Sequence, residues 1–185
     1  YFFSQVDKQA VVLDERFNHG GQVADYVVEV LKRIPAMATM GRDGEDLPSP
    51  AGAIYGPKVM LANEMSGSGG DALPWLFKRA KIGTLVGMRT WGGLVGIGGY
   101  PQLIDGGAIT APRWGLFSAE GKYDVENIGV APDVEVEQDP ALMRAGHDPQ
   151  LEKAVELVLA ELAKNPPVKP ARPPFPDYGP RLPKP

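Results

Sequence analysis

Lys58-Val59-Met60-Leu61-Ala62-Asn63 leads, past Glu64 and Met65, into Ser66-Gly67-Ser68-Gly69-Gly70 and then Asp71 to Ala80. The first run is apolar and of strand length, which predicts a buried β-strand. The glycine cluster predicts a tight turn. Leu73, Leu76 and Phe77 recur at helical spacing in the third segment. Upstream the same order occurs. Ala10-Val11-Val12-Leu13-Asp14 predicts a strand, and Arg16-Phe17-Asn18-His19-Gly20-Gly21 predicts a loop. Gln22 to Ile34 places Val23, Tyr26, Val27, Val30, Leu31 and Ile34 on a helical face that Pro35 ends. Downstream, Thr84-Leu85-Val86-Gly87 predicts a third strand. Strands that alternate with helices imply an α/β domain with a largely parallel sheet.

Residues 36 to 56 are rich in Gly, Asp, Pro and Ser and predict a loop. Gly92 to Gly99 predicts a flexible apolar loop. Short strands are expected at Gln102-Leu103-Ile104, Ala108-Ile109-Thr110 and Trp114-Gly115-Leu116-Phe117, with Asp105-Gly106-Gly107 as a hairpin turn. Gln150 to Ala163 predicts a helix with Leu151, Ala154, Val155, Val158, Leu159 and Leu162 on one face. From Asn165 the chain is Pro-rich, which disfavours helix and sheet. The expected organisation is one domain over residues 1–165 and a tail over 166–185, lying on a surface or a neighbouring subunit.

The 185 residues suffice for one hydrophobic core. A net charge of −4 without a basic stripe argues against nucleic acid as a partner. No cysteine is present, which removes disulfides and thiolate chemistry. No apolar run reaches the roughly 18 residues of a membrane span, so no membrane partner is expected. Two separated histidines do not support a metal site, and no cofactor is expected. Tyr1 to Lys8 lacks the basic and apolar regions of a signal peptide, and the chain does not begin with Met. The start is read as a cut within a longer polypeptide, with a processed or renumbered complete protein as the alternative.

Ser68 follows a predicted strand and precedes a predicted helix. Such a turn exposes a hydroxyl at the sheet edge, and the helix N-terminus favours a developing oxyanion. A serine helix cap fits the same local pattern. The turn is not G-x-S-x-G, because Ser occupies position 66. Gly20 and Gly21 suit either a second oxyanion donor or a helix-start turn. Glu126 suits either an orienting carboxylate or a solvated loop residue. His19 lies beside the glycine loop, and His147 reads as part of a surface turn. Lys78 and Lys81 are the candidates for a Ser-Lys dyad, and read better as surface charges.

Together, Arg16 to Gly21, Asn63 to Asp71, Gly87-Met88-Arg89-Thr90-Trp91-Gly92-Gly93, Asp124 to Asp133 and Asp148-Pro149-Gln150-Leu151 resemble the tricorn protease family. The resemblance spans roughly residues 10 to 165. It implies a serine peptidase of the wider C-terminal-processing peptidase group, on a crotonase/ClpP-like fold of repeated strand-strand-helix units. It also implies a Ser-His-Ser-Glu tetrad in which Ser68 is the nucleophile and Glu126 the glutamate. Gly69 then gives one oxyanion N–H and Gly21 the other. The chain departs from a tricorn pattern at Gly69, where Asp is known, and keeps the backbone donor. Neither His19 nor His147 matches the family's base, so that His is expected from an upstream segment of the same polypeptide.

Peptide substrates, a homo-oligomer and a cytoplasmic location follow from the resemblance as expectations. Asp43, Glu45 and Asp46 are available as an acidic determinant for a basic P1 residue. The competing readings are an inactive peptide-binding or assembly module on the same fold, and a crotonase-like acyl-CoA enzyme. The second has no feature for CoA phosphates, and the glycine turn lacks the Gly-Lys-Ser/Thr of a phosphate loop.

Overall fold

A computed structural model describes residues 1–175 and 179. Four parallel strands form the central sheet in the order β1 (Val11–Asp14), β4 (Lys58–Ala62), β5 (Thr84–Gly87) and β8 (Val134–Glu135). All five residues of β4 are buried, because both faces of this strand are covered. Side chains alternate between the faces. Met60, Ala62 and Leu85 join Val28 and Leu31 of α1 (Ala24–Leu31) and Leu73 and Phe77 of α2 (Gly69–Arg79). Val59, Leu61 and Val86 instead meet Ala154 and Val158 of α4 (Pro149–Lys164). The α/β alternation read from the sequence is thus a three-layer arrangement around a parallel sheet.

Two regions differ from expectation. Residues 36 to 56 hold an antiparallel hairpin of β2 (Met37–Thr39) and β3 (Leu47–Ser49). The stretch read as a flexible loop contains β6 (Gly96–Ile97), which pairs antiparallel with β7 (Pro112–Trp114). No strand forms at 102–104 or 108–110, and the third expected strand lies at 112–114 rather than 114–117. The Asp105-Gly106-Gly107 turn does close, with Leu103 N–H donating to Gly107 O at 2.8 Å. Its flanks have no sheet beneath them, and an unsupported two-stranded ribbon is marginal in water. A short helix α3 (Pro140–Arg144) precedes α4.

No helix among the described residues is long and apolar enough to cross a membrane. Residues 165–175 form neither helix nor strand, and the rest of the predicted tail, 176–178 and 180–185, lies outside the described residues.

Candidate active site

β4 carries the chain to the C-terminal edge of the sheet, where Asn63 opens the turn. Its side-chain oxygen accepts N–H groups from Phe17 at 3.0 Å and Met65 at 3.2 Å. It therefore joins this turn to the loop after β1. Ser66 is fully buried, and its hydroxyl donates to Glu15 O at 3.3 Å.

Ser68 is the N-cap of α2 and has φ 55° and ψ −114°. A side-chain-bearing residue held in such a region costs about 1–3 kcal/mol. Burying Met60, Leu61 or Leu85 stabilises by about 1.5–3 kcal/mol each, so the strand beneath offsets the strained turn. The peptide of Ser68 is fixed from two sides: its N–H lies 3.0 Å from Gly93 O and 2.9 Å from Asp71 Oδ2.

Asp71 is fully buried and gathers four donors. Oδ2 accepts from Ser68 N–H and, at 3.1 Å, from Gly93 N–H. Oδ1 accepts from the Thr90 hydroxyl and, at 2.8 Å, from Gly92 N–H. One carboxylate thus welds the serine turn to the Thr90–Gly93 loop. The sequence contained the signal, Ser68-x-x-Asp71 at capping-box spacing, but sequence reasoning assigned Asp71 no role.

The glycine loop after β1 passes directly over this turn. A Cβ on Gly69 would fall 2.2 Å from Gly21 O and 2.7 Å from Gly21 N. A Cβ on Gly20, whose φ is +118°, would fall 3.0 Å from Ser68 Oγ and 3.2 Å from Gly69 N. Only glycine permits this approach. Gly69 is the first residue of α2, so its N–H has no acceptor within the helix. The sequence-derived candidates Ser68, Gly69 and Gly21 are therefore brought together.

Glu126 is brought to the same place. Its Oε2 accepts N–H groups from Leu94 and Val95, both at 2.7 Å. It is half-buried, so it is not a freely solvated loop residue. A cleft of about 750 Å³ is lined by Ser68, Gly21, Glu126, His19, Trp91 and Trp114, among others.

His19 is exposed at the wall of this cleft, and no hydrogen bond joins it to Ser68 among the described residues. His147 pairs with Glu152 at 3.0 Å, next to α4. Lys78 pairs with Asp133 at 2.7 Å and donates to Ala131 O, and neither Lys78 nor Lys81 lines the cleft. Asp46 is held by Arg172 through two contacts of 2.9 Å.

Glu15 also escaped the sequence reading. It is 5% exposed, and its Oε1 has no hydrogen-bond partner among the described residues. Its Oε2 accepts from Asn18 Nδ2 at 3.3 Å. Burial pushes its carboxyl up to about 8, against the opposing bond from Asn18. Asn18 in turn accepts Gly20 N–H on its side chain and Gly67 N–H on its carbonyl. Glu15 therefore underlies both glycine segments.

The chain is 39% identical to the tricorn protease of Thermoplasma volcanium over 163 residues, covering 88% of this chain and 16% of that relative. It is 42% identical to tricorn protease homolog 1 of Streptomyces coelicolor over 162 residues, covering 88% of this chain and 15% of the relative. The crystal structure of the tricorn protease superposes with a TM-score of 0.78 at 37% identity, over 84% of this chain and 15% of that one. The chain thus spans less than a fifth of the length of the curated relatives it matches. Residues 2–136 match the profile of peptidase family S41. With three-quarters of the chain inside that match and the parallel sheet shared with a solved tricorn structure, this chain belongs to peptidase family S41.

Proposed function

We propose that this chain is the nucleophile-bearing part of a tricorn-type serine peptidase. The observation that carries the reading is the strained Ser68 turn between β4 and α2, facing one cleft with Gly21 and Glu126. In the proposed reaction a histidine from an upstream segment takes the Ser68 proton, and Oγ bonds to the peptide carbonyl carbon. The N–H groups of Gly69 and Gly21 hold the resulting oxyanion. Collapse breaks the C–N bond, the histidine protonates the leaving amine, and water then hydrolyses the acyl-enzyme. Glu126 orients the histidine through the second serine of the tetrad, which in this reading the same upstream segment carries. Peptide substrates, the upstream segment and further copies of the chain are the partners in this reading. Exposed Trp91, Ile97 and Trp114 lining the cleft support such contacts. A cytoplasmic setting rests on the family resemblance.

Labelling with a serine-reactive fluorophosphonate, followed by peptide mapping, tests the assignment on this chain and on the uncut gene product. The expected result is labelling of Ser68 in the uncut protein and none in its Ser68→Ala variant. Labelling of the short chain at Ser68 moves the base to this chain, with His19 as the residue at hand. Two folded proteins that both resist labelling overturn the reading in favour of an inactive peptide-binding module.

A further inference from the structure

At the end of the sheet opposite Ser68 lies a second cleft, of about 810 Å³, where β4 and β5 begin and α1 and α4 end. Its size falls within the range of small-molecule sites. Five cationic residues line it: Lys32, Arg33, Lys58, Lys81 and Lys164. Glu161 is the acidic residue in the lining, and its Oε1 accepts from Asn165 Nδ2 at 2.6 Å. This concentration of positive charge stands out on a chain of net charge −4.

Lys58 is the unusual member. It is 8% exposed, and its ammonium donates to Gly56 O at 2.8 Å. An ammonium carries three donors, and no ion pair reaches Lys58 among the described residues. Burial without a counter-charge lowers its proton affinity. Buried charges are ordinarily paired, because desolvating a lone ion is costly. The turn bearing Lys81 is pressed against the same strand: a Cβ on Gly83 would fall 1.9 Å from Lys58 O. Lys32 is committed to Glu29, and Arg33 to the carbonyls of Ala51 and Gly52. Lys81 and Lys164 form no ion pair among the described residues.

We propose that this cleft binds a small polyanion, through phosphate or carboxylate groups, with Lys58 as the buried anchor and Lys81 and Lys164 as outer cations. The anion supplies the missing counter-charge, so binding restores the proton affinity of Lys58. Complexation therefore favours the protonated amine and weakens as pH rises. Lys32, Arg33, Lys81 and Lys164 facing the cleft add attraction, and Glu161 opposes it. The site does not depend on the peptidase assignment.

The test is the rate at which an amine-reactive reagent modifies Lys58, mapped by mass spectrometry, with inorganic phosphate or citrate added. The expected result is saturable protection of Lys58 by at least one of the two. Protection by phosphate alone assigns a phosphate ester, and protection by citrate alone assigns a polycarboxylate. In a Lys81→Gln/Lys164→Gln double variant, exposed or peripheral positions that leave the core intact, affinity falls about tenfold or more. Lys58→Met, read by calorimetry, removes binding altogether. The proposal is overturned if neither anion protects Lys58 up to about 10 mM, the weak end of specific binding. It is equally overturned if protection in the folded double variant matches the parent chain.

Discussion

Asp71 Oδ2 accepts the backbone N–H of Ser68 at 2.9 Å, three residues back along the chain. The same carboxylate holds the loop at Gly92 and Gly93, so the pose of Ser68 is set by a group that does not line the cleft. All four partners of Asp71 are donors. Asp71→Asn places an amide NH2 against two of them and is expected to cost about 2–4 kcal/mol. Denaturant unfolding of the two proteins measures this, and an unchanged midpoint would contradict the bonding scheme.

Ser68→Gly is expected to stabilise the chain while removing the proposed nucleophile. Relief of the φ 55° strain is worth about 1–3 kcal/mol, and the added freedom of glycine in the unfolded chain takes back about 0.5–1 kcal/mol. Thermal unfolding should show a higher midpoint than the parent. A lower midpoint would mean that the turn is relaxed as it stands.

Glu126→Ala leaves the N–H groups of Leu94 and Val95 without their carboxylate acceptor. Amide hydrogen exchange at both residues should accelerate about tenfold, since a lost partner for a half-buried donor costs about 1–3 kcal/mol. Glu126→Gln retains an acceptor oxygen and should exchange nearly as the parent does. Equal exchange in all three proteins would remove Glu126 from the architecture of the loop.

The raised carboxyl of Glu15 gives stability a pH dependence of known sign. Its folded value, about 8, lies above its ordinary value of 4.5, so the folded state holds the proton more tightly. The contribution is fully present below the ordinary value and is lost as pH rises through about 8, at no more than about 1.4 kcal/mol per pH unit. Glu15→Gln should flatten the stability curve between those limits. The comparison is made by urea unfolding at several pH values, and parallel curves for the two proteins would refute the effect.

Arg16 forks between Asp14 and Asp148, reaching the latter at 2.9 and 2.8 Å. Hydrogen bonds from Arg16 hold the Asp148 carboxyl well below its ordinary range. That stability is present above the ordinary value and is lost as pH falls toward the folded one. Lysine cannot reproduce the paired geometry, so Arg16→Lys should cost about 1 kcal/mol for this partly exposed pair. Its acid-unfolding midpoint should move to higher pH, which circular dichroism reads directly.

What was legible in the sequence follows from locality. β1, β4 and β5 stood out because a strand covered on both faces needs an uninterrupted apolar run. β6 offered Gly96 and Ile97 alone, and its pairing with β7 depends on residues far along the chain. The Ser68 turn was visible because strand, glycines and helix are contiguous. The bonds from Glu126 to Leu94 and Val95 span about thirty residues and carry no local signature. Glu15 lies just past the predicted strand and carried no signal of its own, and only the packed loops above it reveal its burial.

The contact between Gly69 and Gly21 has an implication for change at the site. A side chain of any kind at position 69 would have to displace the segment over Gly20 and Gly21, since its first carbon already lies 2.2 Å from Gly21 O. The two segments are therefore free to vary only in concert. A graft of residues 66–71 into a related scaffold would need the loop over residues 16–21 to travel with it, and the smallest transferable unit of this site is the pair of loops together.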